Sequence, residues 1–308
     1  MDAPEPKAVP IVCGPTGSGK TGVTLALADQ FPLEVVSADS RQIIRHLNIG
    51  TAKPTPEERN KVTFHLVDIV EPGERYSAFR FVEDANAAIA GILERGRIPL
   101  VVGGTGLYLS ALSEGVVEIE NDDLAVRGKL EAEMEEIGPE AMHERLTGID
   151  PLEAANLHPN NRVRVIRALE VFHLTGRSKS ELIATGGYTK SAFEFAYYCL
   201  LPDRQALYEV INARVDKMIS RGLLEELRLL TQCGRADDVR RAQVIGYSEL
   251  LDFLDGEVSL EEAIARIKQN TRRYAKRQYT WFTHQATCRV FSDPVSLGAD
   301  LATQLKSY

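Results

Sequence analysis

The 308-residue chain carries 44% hydrophobic and 26% charged residues, the balance of a soluble globular protein with room for one large α/β domain or a core bearing a smaller insertion. Its apolar runs stop at strand length, and Met1 to Pro10 lacks the basic-then-apolar profile of a signal peptide, so no membrane association and a cytoplasmic location are expected. The four cysteines, Cys13, Cys199, Cys233 and Cys288, are far apart with no Cys-x-x-Cys pair, which speaks against a zinc knuckle and gives no support for a disulfide framework.

Short β-rich runs alternate with helical stretches through the first hundred residues. Val9–Cys13, Glu34–Ser37, Leu66–Val70 and Ile98–Val102 read as buried strands, with helices over Thr21–Phe31 and Ala78–Arg95 between them. The alternation implies a mostly parallel sheet covered on both faces, with its ligand at the carboxyl ends of the strands. From about Glu118 to Gly187 the pattern is helical with almost no strand signal. Asp150-Pro151 is a cap followed by proline at the first helical position, and Asn160 can cap a helix that stops at Gly176. A strand returns at Phe193–Leu201, then a long helix from Asp203 to about Leu230. Ser259 with Glu262 opens another helix, and Cys288–Phe291 closes the series as a last strand. This order predicts an α/β core over residues 1–115, an all-helical insertion over 116–190, and completion of the core over 191–308.

A net charge of −8 describes the whole surface, whereas a polyanion is bound by a local patch. Acids crowd between Glu118 and Glu136. Bases gather at Arg162–Arg164–Arg167, at Arg240–Arg241 and at Arg272–Arg273–Lys276–Arg277. Composition therefore permits an RNA partner without requiring one.

Gly14-Pro15-Thr16-Gly17-Ser18-Gly19-Lys20-Thr21 fits the phosphate-binding loop pattern between a strand and a helix. Glycines let successive backbone N–H groups point into one concavity, and the following helix adds its positive end. Lys20 supplies a full charge, and the Thr21 hydroxyl is the candidate Mg²⁺ ligand. The loop predicts nucleotide or diphosphate binding but leaves the reaction open. No Asn-Lys-x-Asp base-reading motif of a GTPase is present, since Asn60-Lys61 is followed by Val-Thr. Ile98–Val102 ends in Gly103-Gly104-Thr105, not in an acid. The available carboxylate is Asp39, just past the second strand.

Several further stretches resemble the tRNA dimethylallyltransferase family over nearly the whole chain. They are Ser37–Gln42, Ile49–Pro54, Val102–Tyr108, His158–Asn160, Arg164–Glu170, Ile245–Tyr247 and Tyr274–Gln278, beside the phosphate loop itself. The resemblance implies a P-loop NTPase-like core with a helical insertion. It also implies transfer of the dimethylallyl group of dimethylallyl diphosphate to N6 of adenosine 37 in tRNA, with Mg²⁺. In that family pattern Asp39 matches the general base, and Thr105 a residue set against the reacting centre and the diphosphate. Gly14 to Thr21 and Arg214 match the diphosphate site. Asp39, Ser40, Arg41, Gln42, Thr105, Arg127, Val163, Arg164, Val165, Ile166, Arg167, Gln243, Val244, Ile245, Gly246, Tyr247 and Ser248 match tRNA-contacting positions. Three residues depart from the pattern: Asn161 and Arg162 after His158-Pro-Asn160, and Val210 where an arginine is common one turn before Arg214. A monomer is expected. The competing readings are an isopentenyltransferase acting on free adenine nucleotides, a small-molecule kinase, and a non-catalytic nucleotide switch or RNA-binding module.

Overall fold

The computed structural model describes residues 8–117, 124–285 and 288–308. The chain divides into two compact units, residues 1–113 with 191–308 and residues 114–190. Among the described residues no helix is long and apolar enough to cross a membrane.

The first unit is built on a parallel sheet. Its strands are β1 (Val9–Cys13), β2 (Leu33–Ala38), β3 (Phe64–His65), β4 (Ile98–Gly103), β7 (Phe195–Leu200) and β8 (Arg289–Phe291), in the order β3-β2-β4-β1-β7-β8. Two further strands, β5 (Val116–Val117) and β6 (Tyr188–Thr189), belong to the second unit. β1 and β2 are buried at every position; β1 is accordingly a continuous apolar run, whereas β2 carries Glu34 and Ser37 among its buried residues. β1 lies at the centre, paired with β4 from Ile11↔Val101 to Cys13↔Gly103 and with β7 from Val9↔Phe195 to Cys13↔Cys199. Helices Lys20–Ala28 and Pro294–Leu305 pack on the sheet through Val23, Leu27, Leu297, Leu301 and Leu305. A second core, centred on Tyr247, joins Ile43, Ile44, Leu47, Leu223, Leu227 and Leu250.

Two expected elements come out differently. Leu66–Val70 is not a strand: β3 stops at His65, and Leu66 and Asp68 both take φ of 60°. The backbone amides of Asp68, Ile69 and Val70 bond to the carbonyls of Gln42 and Ile43 instead of extending a ladder along β2, and the Asp68 carboxylate pairs with Lys53 Nζ at 2.5 Å and Arg59 Nη2 at 2.7 Å. A single bridge, Ile44↔Val70, is what remains of the pairing. The helix expected from Asp203 to Leu230 is two helices, Arg204–Ser220 and Leu223–Gln232, because Gly222 sits at φ 93° between them. Asp203 caps the first of these with its carboxylate on the amides of Gln205 and Ala206.

Among its described residues the second unit is built of helices and a two-residue antiparallel ribbon, β5 against β6, too short to leave an alternation in sequence. Helical density from Leu124 to Ile149 is interrupted where Gly138 takes φ 86° before Pro139. Glu118, where the helical stretch is expected to begin, lies outside the described residues. Asp150 caps Pro151–Ala155 as expected, its carboxylate accepting from the Glu153 amide at 3.1 Å. The next helix, Arg162–Thr175, starts one residue later than expected, at Asn161 instead of Asn160, and without a side-chain cap; it ends at Gly176. Its core residues Val165, Ile166 and Leu169 pack with Leu130, Met134, Met142 and Leu146.

Candidate active site

β1 delivers the chain into the phosphate loop at the middle of the sheet. Gly14 adopts φ 144° with the Leu200 carbonyl so close that a Cβ would sit 2.4 Å from its oxygen, so no other residue fits there. Lys20, at the first turn of the following helix, curls back and donates to the carbonyls of Gly14 and Pro15, both at 2.8 Å. Burial pulls its pKa down from the ordinary lysine range to about 8, with Asp39 opposing that shift and Arg214 adding to it. Arg214, from helix Arg204–Ser220, points Nη1 at Thr16 Oγ1 at 3.3 Å. Its burial lowers its pKa, and Asp39 pulls in the other direction. Two cations and one carboxylate thus act on one another at the loop.

Asp39 follows β2 directly. Its Oδ1 accepts from the amides of Arg41 at 2.9 Å and Gln42 at 3.3 Å, which fixes the carboxylate in a turn and leaves Oδ2 for a ligand. The Thr105 hydroxyl accepts from the Ser40 amide at 3.0 Å and donates to Ser40 Oγ at 3.3 Å, so the ends of β2 and β4 are tied together beside Asp39. Tyr274 lies in the same neighbourhood. Burial pushes its hydroxyl up to about 12, with the charge on Asp39 adding to the shift.

A cleft of about 1390 Å³ unites the loop, Asp39, Arg214 and Tyr274, with Ser40 and Thr105 behind its lining. Thr16, Gly17, Gly19, Lys20, Thr21, Asp39, Arg41, Gln42 and Arg214 line it, together with the segment from Gln243 to Gly246. The loop Asn48–Lys53 forms another wall, held by Glu226 on the amides of Asn48 and Ile49 and by the Tyr247 hydroxyl accepting from the Gly50 amide at 3.1 Å. Thr21 is exposed and lines the cleft that also holds Asp39. These are hard oxygen donors, a set that suits a cation such as Mg²⁺.

One residue to which the sequence reading assigned no role, although it closes the family-resembling stretch Tyr274–Gln278, links the loop to its neighbour. Gln278, in the middle of helix Leu260–Thr283, accepts from the Thr16 amide at 2.9 Å and donates to the Gly104 carbonyl at 2.7 Å. It pins the phosphate loop to the turn that carries Thr105. An uncharged polar residue at a buried helical position is its signal in sequence, weak without the fold.

The expected RNA-contacting residues are of two kinds. Arg41, Gln42, Gln243, Val244, Ile245 and Gly246 line the cleft, although the Val244 side chain is almost wholly buried and Tyr247 is a core residue outside the lining, so this segment can meet a ligand mainly through its backbone and its other side chains. In the second unit Val163 and Arg164 are exposed, but Val165 and Ile166 are buried. Arg127 and Arg167 approach the same buried carboxylate, Glu170, at 4.0 and 2.7 Å. The Arg240–Arg241 cluster is not a free basic patch: Arg240 pairs with Asp255 and Asp252, and Arg241 with Asp238. Val210 lines the cleft near Gly17, and Arg162 is paired with Glu135 at 2.5 Å.

The family model for IPP transferase matches residues 42–285, and that for isopentenyl transferase matches residues 7–68. The chain belongs to the IPP transferase family. It is 47% identical over 284 residues to tRNA dimethylallyltransferase of Geobacillus kaustophilus, covering 92% of this chain and 90% of that one. It is 46% identical over 282 residues to tRNA dimethylallyltransferase 1 of Pelobacter propionicus, at 92% and 91% coverage. Among solved structures, the full-length tRNA isopentenylpyrophosphate transferase from Bacillus halodurans superposes with a TM-score of 0.69 at 40% identity, covering 97% of each chain. A eukaryotic dimethylallyltransferase acting on tRNA gives a TM-score of 0.77 at 30% identity, covering 97% of this chain and 77% of that one. Family membership makes the protein a prenyltransferase, with the P-loop NTPase-like core of its structural neighbours.

Proposed function

We propose that the protein transfers the dimethylallyl group from dimethylallyl diphosphate to N6 of adenosine 37 in tRNA and releases diphosphate. The observation that carries this reading is the meeting of Asp39 with Lys20 and Arg214 in one cleft, a carboxylate facing a phosphate cradle. The relatives' names supply the donor class and the RNA acceptor.

In this reading the phosphate loop handles a leaving group. Loop amides, Lys20 and Arg214 stabilise the charge that grows on the diphosphate as its carbon–oxygen bond breaks. Thr21 would hold Mg²⁺ there, and the ion supplies further neutralisation of the diphosphate when bound. The exocyclic amine of adenine is a poor nucleophile, whose proton becomes acidic only as the new carbon–nitrogen bond forms. Asp39, oriented through Oδ1 by two backbone amides, takes that proton. Thr105 orients the turn at Ser40 and lies beside the reacting centre. The base has to leave its stack to enter, at a cost of about a few kcal/mol, which a grip on the surrounding stem must offset. That grip is assigned to the Arg41–Gln42 and Gln243–Ser248 segments and, on the second unit, to Arg127, Val163, Arg164 and Arg167. A cytoplasmic location follows from such a substrate.

Incubation with labelled dimethylallyl diphosphate, Mg²⁺ and either an unmodified anticodon stem-loop or free AMP tests the assignment. Label is expected in the stem-loop and not in AMP. Comparable transfer to AMP would replace the tRNA reading by that of a mononucleotide enzyme.

A further inference from the structure

Three of the four cysteines, distant in sequence, meet at the root of the phosphate loop. Cys13 is the last residue of β1 and precedes Gly14; Cys199 is its direct partner across the β1–β7 pairing; Cys288 immediately precedes β8, which pairs with β7. Their three sulfurs lie within 4.8 Å of one another. Cys13 and Cys199 are buried, while Cys288 is half-buried and provides an approach.

We propose that Cys13, Cys199 and Cys288 form a binding site for a thiophilic divalent cation of the zinc class, independent of the Mg²⁺ position at Thr21. The donor set decides the class of ion: three sulfurs select zinc-like soft cations, and nothing in this trio suits magnesium. Zinc–sulfur bonds of about 2.3 Å in a tetrahedron separate the sulfurs by about 3.8 Å. The trio therefore has to close by no more than about an ångström. Three protein ligands leave a fourth position for water, the pattern of an open site. Binding displaces the thiol protons to solvent, so the ion is held by thiolates. Cys13 and Cys199 lie within electrostatic reach of Lys20, whose ammonium their thiolates favour. An ion there would fasten the ends of β1 and β7 to the start of β8, directly behind the loop that cradles the diphosphate.

The opposing account is that buried free cysteines act as small apolar side chains and bind nothing. Titration of the reduced, full-length protein with Cd²⁺ under argon separates the two. The expected result is a thiolate-to-cadmium charge-transfer absorption that saturates at one ion per chain. Cys288→Ser is expected to weaken it by roughly tenfold or more, because even an outer-shell change at a metal site costs roughly 10–100-fold. Cys233→Ser, at the exposed fourth cysteine, should leave it unchanged. Alkylation of the wild-type protein gives a second reading that needs no variant: Cd²⁺ should protect Cys288 and leave Cys233 reactive. A saturable band absent from the wild type, a band of full affinity in Cys288→Ser, or protection confined to Cys233 overturns the site and leaves the trio as packing.

Discussion

Replacing Gln278 with alanine strips two hydrogen bonds from the junction between the phosphate loop and the Gly104 turn. The Gly104 carbonyl is buried at that contact, and the Thr16 amide is partly so. Each group left without a partner costs about 1–3 kcal/mol. Two of them sum to about 2–6 kcal/mol, and water reaching the more open Thr16 side brings the expected loss to about 2–4 kcal/mol. Trp281, the single tryptophan, lies three residues further along the same helix and packs on Gly106, so its fluorescence during urea unfolding reports on this junction. The Thr16 amide also belongs to the cradle. Losing its orientation should weaken dimethylallyl diphosphate binding by about 1 kcal/mol, or roughly fivefold. A stability loss below about 0.5 kcal/mol, the range of an ordinary surface substitution, together with unchanged donor affinity would refute the bridging role.

Lys20 has a folded-state pKa of about 8, below its unfolded value, so burying its charge penalises folding below that pH, and the penalty fades as pH rises toward the ordinary lysine range. In the proposed mechanism the same charge binds the donor, so donor affinity should fall as pH rises through about 8, and Lys20→Arg should remove that limb; a flat wild-type profile would contradict it. Arg214→Ala should weaken donor binding while leaving stem-loop affinity nearly unchanged, as filter binding of each substrate would show; loss of RNA binding alone would reverse the assignment. Arg164→Ala with Arg167→Ala should weaken stem-loop binding and flatten its salt dependence, since log K falls with log salt in proportion to the phosphates neutralised. Salt-insensitive RNA binding in the wild type would count against that basic face.

The central strands and the phosphate loop were readable from sequence because local pattern and tertiary role coincide there. A fully buried parallel strand is a continuous apolar run, and the glycines of the loop are demanded by the backbone itself. The position of Asp39, just past β2, followed from the same logic, since ligands gather at the carboxyl ends of parallel strands. Long-range electrostatics were not readable. The expected strand at Leu66–Val70 gives way to a segment bonded to the Gln42–Ile43 turn, where Lys53 and Arg59 pair with the Asp68 carboxylate, contacts set by the fold. Arg240 and Arg241 read as a basic cluster until their carboxylate partners are seen. Gln278 and the cysteine trio share one difficulty: partners as distant as Thr16 and Gln278, or Cys13 and Cys288, leave no periodicity behind. Tyr247 matched an RNA-contacting segment yet serves as the largest fully buried side chain, which shows that a shared motif can encode packing.

Single-turnover transfer with Asp39→Asn, measured with tRNA and donor both bound, tests the proposed chemistry most directly. Asparagine keeps the shape and its Oδ1 can still accept from the Arg41 and Gln42 amides, so both substrates should bind as before. The side chain can no longer take the proton, and the rate should fall by about 10²–10⁴-fold. A single-turnover rate near that of the wild type would remove Asp39 from the base role and with it the mechanism proposed for this cleft.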